Sequence, residues 1–231
     1  MLRKGRRKAV LRHDAKLAIS WDGNSIFASL NATAGNGWSS QVHNRLVAMG
    51  RDVLTQNTAV SGQTWNMMNG NDGQTSADAS GLYYPGRTNI LICGETTNSV
   101  YKYGVTPATA LSQAQTYIQN RFAEHPDWLI IMVGTIPRYE AGGFSWGSVA
   151  AANQKNREAD ALMKAACRGW GVKAFIDPCC PGSPWNFPSY NLSDFQKDPH
   201  LWSDSYIHPA DPGYSVLADM VVRQIVNLAP R

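Results

Sequence analysis

Residues 17–25 read Leu-Ala-Ile-Ser-Trp-Asp-Gly-Asn-Ser, an apolar run that leads through a glycine and an asparagine into a serine. The run has the length and the content of a buried strand. Taken alone, a serine beside Gly and Asn could simply cap a turn. A serine just beyond the carboxyl end of a strand, however, stands where open α/β sheets bind their ligands. Ser25 is therefore the first candidate for a chemically active residue.

Strand-like apolar runs alternate with helical periods along the rest of the chain. The strand-like runs cover residues 17–21, 52–58, 89–93, 128–133 and 173–177, and the helical periods cover residues 38–49, 106–125, 149–170 and 214–228. This alternation predicts a parallel sheet with helices on both faces. With 231 residues, 43% of them hydrophobic, the chain has the size of one α/β domain. We expect that domain to cover residues 15–231, after a tail of residues 1–14.

Positive charge is concentrated in this tail, because residues 1–12 hold six Lys and Arg side chains and no acidic one. The rest of the chain carries 15 basic and 17 acidic side chains, so the net charge of +4 comes from the tail. Such a tail could bind nucleic acid, an acidic surface or a partner protein, or could simply be a solvated terminus. No apolar segment follows it, as a secretory signal would require, and no run is long enough to span a membrane.

The four cysteines predict neither a disulfide framework nor a metal site. Cys179 and Cys180 are neighbours, and neighbouring cysteines rarely bond each other. A bridge from Cys167 to one of them is possible, but free thiols are expected in a protein without a secretory signal. No C-x-x-C spacing or His pair indicates a zinc site, so we expect no metal.

A second group of candidates lies near the end of the chain, in Asp204-Ser205-Tyr206-Ile207-His208-Pro209. A serine nucleophile needs a base within hydrogen-bond reach and an acid that orients the base. His208 is the candidate base, because the proline after it restricts the backbone and so the direction of the ring. Asp204 is the candidate acid, although its four-residue distance requires a bulge or an unusual turn. If Asp204 points away, Ser25 and His208 could act as a dyad with a backbone carbonyl orienting the imidazole.

Two further blocks lie between the serine and the histidine, namely Ser61-Gly62-Gln63-Thr64 and Gly94-Glu95-Thr96-Thr97-Asn98. An oxyanion hole requires N–H donors, which the backbone of Ser25, the backbone of Gly62 and the side-chain amide of Asn98 could supply. Gly62 could instead serve only as a turn residue, and Asn98 only as a cap.

In this order the four blocks resemble those of the SGNH (GDSL-type) hydrolases, and the resemblance covers the chain from Ser25 to His208. Gly23-Asn24-Ser25 stands in place of the usual Gly-Asp-Ser, and the last block has its acid one residue further from the histidine. The resemblance implies a doubly wound α/β/α sandwich with a flavodoxin-like, mainly parallel five-stranded sheet in the order 2-1-3-4-5. It also implies a serine esterase that works through an acyl-enzyme without a cofactor. The sequences of the first two blocks are similar to those of phage-encoded members of the family.

Aromatic residues guide the prediction of the substrate. The irregular stretches contain four tryptophans, Trp65, Trp146, Trp185 and Trp202. Each of them alone is better explained by loop packing, but as a group they suit stacking against sugar rings. We therefore expect hydrolysis of short-chain, acetyl-type esters on an acylated glycan. The alternative is a virion or assembly component that uses the SGNH fold as a binding module, and the expected location is cytoplasmic or virion-associated.

Overall fold

The computed structural model describes residues 16–70, 83–140, 145–204 and 206–228. The predicted basic tail of residues 1–14 lies outside the described residues and stays a prediction. In chain order the elements are β1 (Leu17–Gly23), α1 (Trp38–Ala48), β2 (Val53–Asn57), α2 (Trp65–Met68), β3 (Thr88–Gly94), a π-helical segment (Thr97–Lys102), α3 (Pro107–Glu124), β4 (Leu129–Val133), α4 (Val149–Ala166), a 3₁₀ turn (Cys167–Trp170), β5 (Ala174–Ile176), α5 (Leu192–Phe195), a second 3₁₀ turn (Pro199–Leu201), β6 (Trp202–Asp204), β7 (His208–Pro209) and α6 (Asp211–Leu228).

The first five strands form one parallel sheet in the order β2-β1-β3-β4-β5. This confirms the predicted five-stranded, doubly wound arrangement. All seven residues of β1 are buried, because the strand lies inside the sheet and both of its faces are covered. Its last residue, Gly23, is paired with Gly94 at the end of β3. The loops that carry the first and third blocks therefore start side by side.

Two hydrophobic clusters fill the space between the sheet and its helices. Alternate residues of β3 point to opposite faces, so Ile90 and Ile92 join one cluster while Leu91 and Cys93 join the other. The first cluster packs β1 against α1 and α6, and the second packs β3 and β4 against α3 and α4. Helices thus cover both faces of the sheet.

The helix ends agree with the sequence to within a few residues. The side chain of Thr106 caps α3 by accepting a hydrogen bond from the N–H of Thr109, and Pro107 opens the helix. The helix predicted at residues 149–170 is shorter in the structure than predicted, because α4 ends at Ala166 and a 3₁₀ turn follows it. The last helix begins at Asp211, three residues before the predicted start.

Tight contacts fix the carboxyl ends of the central strands. A Cβ atom added to Gly94 would lie 2.2 Å from the carbonyl oxygen of Val133, and one added to Gly23 would lie 2.5 Å from that of Gly94. Only glycine fits at either place, so the loops after β1 and β3 leave the sheet at defined positions.

The four cysteines are free thiols. Among the described residues, no helix combines the length and the hydropathy that crossing a membrane requires.

Candidate active site

Ser25, His208 and Asp204 form one chain of hydrogen bonds at the carboxyl edge of the sheet. The Nε2 atom of His208 lies 2.9 Å from the Oγ of Ser25, and its Nδ1 lies 2.8 Å from the Oδ2 of Asp204. Ser25 is partly exposed, since it follows β1 at the end of the sheet. The structure thus brings together three side chains separated by up to 183 positions in the sequence.

The long spacing between Asp204 and His208 is accommodated by a hairpin. The two residues face each other as partners in the antiparallel pair β6–β7, with an irregular register beside them. The N–H of Ile207 donates to the carbonyl of Asp204 over 2.9 Å and closes the turn, in which Tyr206 has a φ of +64°. The carboxylate itself, and not a backbone carbonyl, therefore contacts the Nδ1 of the imidazole.

Asp204 is held by donors on several sides. It accepts hydrogen bonds from the backbone N–H of His208 over 2.8 Å and from the side-chain amide of Asn31 over 2.9 Å. Burial would raise the pKa of Asp204, but the hydrogen bonds from His208 and Asn31 outweigh it, so its pKa lies below the usual value. An ionised Asp204 favours the tautomer with the proton on Nδ1, which leaves Nε2 to accept the proton of Ser25.

The turn that carries Ser25 is stabilised by its own neighbour. The side-chain oxygen of Asn24 accepts a hydrogen bond from the N–H of Ile26 over 3.0 Å. The backbone then turns back on itself, with the N–H of Ala28 bonded to the carbonyl of Asn24 and the N–H of Leu30 bonded to that of Ser25. Among the described residues, the N–H of Ser25 takes no part in these backbone hydrogen bonds.

The second and third blocks lie beside this turn. The N–H of Val60 donates to the carbonyl of Gly23 over 3.0 Å, which ties the second block to the end of β1. Gly62 has a φ of +84°, a conformation that glycine adopts at little cost. The side-chain amide of Asn98 donates to the carbonyl of Gln63 over 2.9 Å, so Asn98 lies next to Gly62. A primary amide has two N–H bonds, so the bond to Gln63 uses only one of them.

Sequence reasoning missed Glu95, which is buried with only 2% of its surface exposed. Its carboxylate accepts hydrogen bonds from the N–H groups of Trp65, Asn98 and Ser99, and from the hydroxyl of Ser99. Burial raises its pKa to about 7 against the opposing effect of these hydrogen bonds. The available signal was an acidic residue directly after a buried strand, within the third block.

The predicted aromatic binding surface is wrong for three of the four tryptophans. Trp65, Trp185 and Trp202 are exposed by only 1%, 0% and 8%, so they cannot stack against a sugar. Their large rings are buried in the two hydrophobic clusters, where they contribute to the stability of the fold. Trp146 is partly buried and donates from its indole nitrogen to the carbonyl of Val100 over 2.6 Å.

A narrow cleft lies beside the first and third blocks. Asn24, Glu95, Thr97 and Thr135 are among its lining residues, and its volume of about 10 Å³ is enough for roughly one water molecule. Among the described residues, no cluster of His, Cys, Asp and Glu has the arrangement of a metal site.

Comparison by sequence finds no match among family models or among curated proteins. Comparison of structures gives several matches along nearly the whole chain. The M. smegmatis aryl esterase has a TM-score of 0.64 at 16% identity, over 93% of this chain and 100% of that one. TesA has a TM-score of 0.64 at 16% identity, over 92% and 99%. A protein from Parabacteroides merdae described as a GDSL-like lipase has a TM-score of 0.65 at 13% identity, over 96% and 99%.

The chain has the fold of the SGNH hydrolases. This agrees with the resemblance of its four blocks, which the SGNH fold brings to one edge of the sheet. The identities are low, so the likeness concerns the fold, and the phage origin stays a prediction.

Proposed function

We propose that this protein is a serine esterase that hydrolyses carboxylic esters with short acyl groups. The observation that carries the proposal is the chain of hydrogen bonds from Ser25 through His208 to Asp204, with distances of 2.9 and 2.8 Å. A serine hydroxyl becomes a nucleophile when a base can take its proton, and an ionised acid keeps that base in the required tautomer. The SGNH fold, which the named esterases share, agrees with this assignment.

The reaction would proceed through an acyl-enzyme. The Oγ of Ser25 attacks the ester carbonyl while the Nε2 of His208 takes its proton, and Asp204 stabilises the resulting imidazolium. The bond to the alcohol then breaks, and His208 returns the proton to the leaving oxygen. A water molecule repeats both steps on the acyl-enzyme, which releases the acid and restores Ser25.

The negative charge of the tetrahedral intermediate requires donors in fixed positions. The N–H groups of Ser25 and Gly62 and the amide of Asn98 are the proposed donors, and the hydrogen bond from Asn98 to Gln63 supports this arrangement. The loss of one such donor costs on the order of 3 kcal/mol in the transition state.

The acyl group is proposed to be small, as the sequence predicts; the cleft beside Asn24, with a volume of about 10 Å³, is lined by neither Ser25 nor His208 and does not bear on the size of the acyl group. The glycan part of the prediction loses its support, since three of the four tryptophans that suggested it are buried. The proposal is therefore limited to a short-chain ester. No observation favours the alternative of a binding module.

A series of nitrophenyl esters tests this function. We expect nitrophenyl acetate to be hydrolysed with a higher kcat/KM than the butyrate, and the octanoate to be the poorest substrate. Ser25→Ala and His208→Ala should abolish turnover, whereas the control His43→Ala should keep it, since His43 contacts Thr55 between α1 and β2. A preference for octanoate would contradict the short-acyl assignment, and a folded wild-type protein without any turnover would end the proposal.

A further inference from the structure

Glu95 connects all three blocks that surround the proposed oxyanion hole. Its Oε1 accepts the backbone N–H of Asn98 over 2.6 Å and lies 3.5 Å from the side-chain amide of Asn24, a long contact. Its Oε2 accepts the N–H of Trp65 over 3.2 Å and the hydroxyl of Ser99 over 2.6 Å. One carboxylate thus links the turn of Ser25, the start of α2 and the π-helical segment.

The partners of this carboxylate are neutral hydrogen-bond donors. Among the described residues, they are Asn24 after β1, Trp65 in α2, and Asn98 and Ser99 in the π-helical segment. An ionised carboxylate offers only acceptor sites and can satisfy all of these donors, whereas a protonated acid or an amide would turn one donor toward another. A buried carboxylate in such a place is costly unless its hydrogen bonds are made.

We propose that Glu95 is a positioning residue, whose ionised carboxylate holds the donors of the oxyanion hole in place. This inference rests on the proposed esterase function. Glu95 acts through Asn98, because it fixes the backbone of that residue while the side-chain amide contacts the carbonyl of Gln63. It also fixes Trp65, which opens the helix that follows the Gly62 block. Oxyanion donors contribute to catalysis only when they are held in place before the reaction.

The buried position of Glu95 predicts that the rate of ester hydrolysis depends on pH. Burial raises the pKa of Glu95 to about 7 despite the hydrogen bonds that lower it. Below that pH the carboxylate gains a proton and the network of donors loses an acceptor, so the rate should fall as the pH decreases through about 7. This fall of the rate toward low pH is the acid limb of the pH profile.

The test compares kinetics of the full chain with nitrophenyl acetate from pH 5 to pH 9. Glu95→Gln keeps the size of the side chain but replaces one acceptor with a donor. We expect kcat to fall at least tenfold with KM changed less than threefold, and the acid limb to lose the part that comes from the titration of Glu95. The matched control is Asp160→Asn, which alters another buried acid whose pKa burial raises to about 6. Its Oδ2 accepts hydrogen bonds from the N–H and the hydroxyl of Thr135 and from the guanidinium of Arg157. It should keep kcat within about twofold.

Ser99→Ala provides a milder variant in case Glu95→Gln does not fold. It removes the 2.6 Å hydrogen bond that lowers the pKa of Glu95, so the acid limb should move to higher pH. The N–H of Trp65 loses its 3.1 Å contact with the Ser99 hydroxyl but keeps its hydrogen bond to Glu95, so the rate at pH 9 should stay close to that of the wild type. A merely structural role for Glu95 would not move this limb.

Two outcomes would overturn the inference and leave the esterase proposal intact. One is a folded Glu95→Gln variant whose kcat falls no more than that of Asp160→Asn. The other is an acid limb that stays in place in Ser99→Ala. A wild-type protein that hydrolyses no ester would instead remove the proposed function and this inference together.

Discussion

The proposed chemistry depends on three single residues, Ser25, His208 and Asp204, which one chain of hydrogen bonds connects. Ser25 and His208 stand next to recognisable neighbours, an apolar strand before the serine and a proline after the histidine. Glu95 offers only a weak signal, an acidic residue directly after a buried strand, because its contact with Trp65 exists only in the folded chain. The predicted aromatic surface was wrong for a related reason, because the sequence does not show whether an aromatic residue in an irregular stretch faces the solvent or the core.

Asp204 gives the prediction that belongs to this scale. Asp204→Asn removes the charge that stabilises the imidazolium and turns an amide toward the Nδ1 of His208, which favours the wrong tautomer. We expect kcat to fall by roughly 10²–10⁴ while KM changes little. The measurement is a steady-state rate with nitrophenyl acetate, with circular dichroism to check the fold.

Asp198→Asn is the matched control for this variant. Asp198 precedes the second 3₁₀ turn, on the approach to β6, and its side chain caps no backbone group there. Its rate should stay within about twofold of the wild type. If Asp204→Asn were equally active, the site would work as a dyad of Ser25 and His208, and Asp204 would leave the proposed mechanism.

At the scale of elements, long buried strands were predictable and short irregular ones were not. The central strands β1, β3 and β4 carry apolar runs because both faces of the sheet are covered there, whereas the edge strand β2 is partly polar. The helices begin at visible caps such as Thr106. The hairpin β6–β7 has strands of three and two residues, too short for any periodicity to show. The π-helical segment is held by the side chain of Glu95, which accepts the N–H groups of Asn98 and Ser99, and hydrophobic periodicity does not indicate such an arrangement.

The close packing of the strand ends leads to a prediction about stability. In Gly94→Ala the new methyl group would lie 2.2 Å from the carbonyl of Val133, a backbone atom that cannot move aside cheaply. We expect a loss of roughly 3 kcal/mol in the free energy of unfolding, measured by urea denaturation. Gly169→Ala is the control, since a Cβ there meets nothing within 4 Å, and its stability should stay within about 0.5 kcal/mol. Equal stability of the two variants would contradict the tight packing of β3 against β4.

At the scale of the whole molecule, the layered architecture follows from the alternation of apolar runs and helical periods. The order of the strands does not follow from it, because periodicity says nothing about which strands are neighbours. The order 2-1-3-4-5 came from the resemblance of the four blocks, and the structure confirms it. Buried charge is a second property that only the folded molecule reveals. Asp22, Glu95 and Asp160 are each exposed by only 2% or less.

Burial raises the pKa of Asp22 and Glu95 to about 7 and that of Asp160 to about 6, so these groups bind protons more tightly in the folded protein than in the unfolded chain. Their contribution to stability is complete below the unfolded values of about 4 and is lost as the pH rises through about 6 to 7. Each unit of pKa shift is worth about 1.4 kcal/mol, so the Tm should be several degrees higher at pH 5 than at pH 8, measured by thermal unfolding at constant ionic strength. The rate should change in the opposite direction, because the proposed oxyanion hole requires an ionised Glu95. Asp160→Asn should reduce the difference in Tm without changing the pH dependence of the rate. A Tm that rises from pH 5 to pH 8 would show that the buried acids are already ionised in the acidic range, and the rate would then lose its Glu95 titration as well.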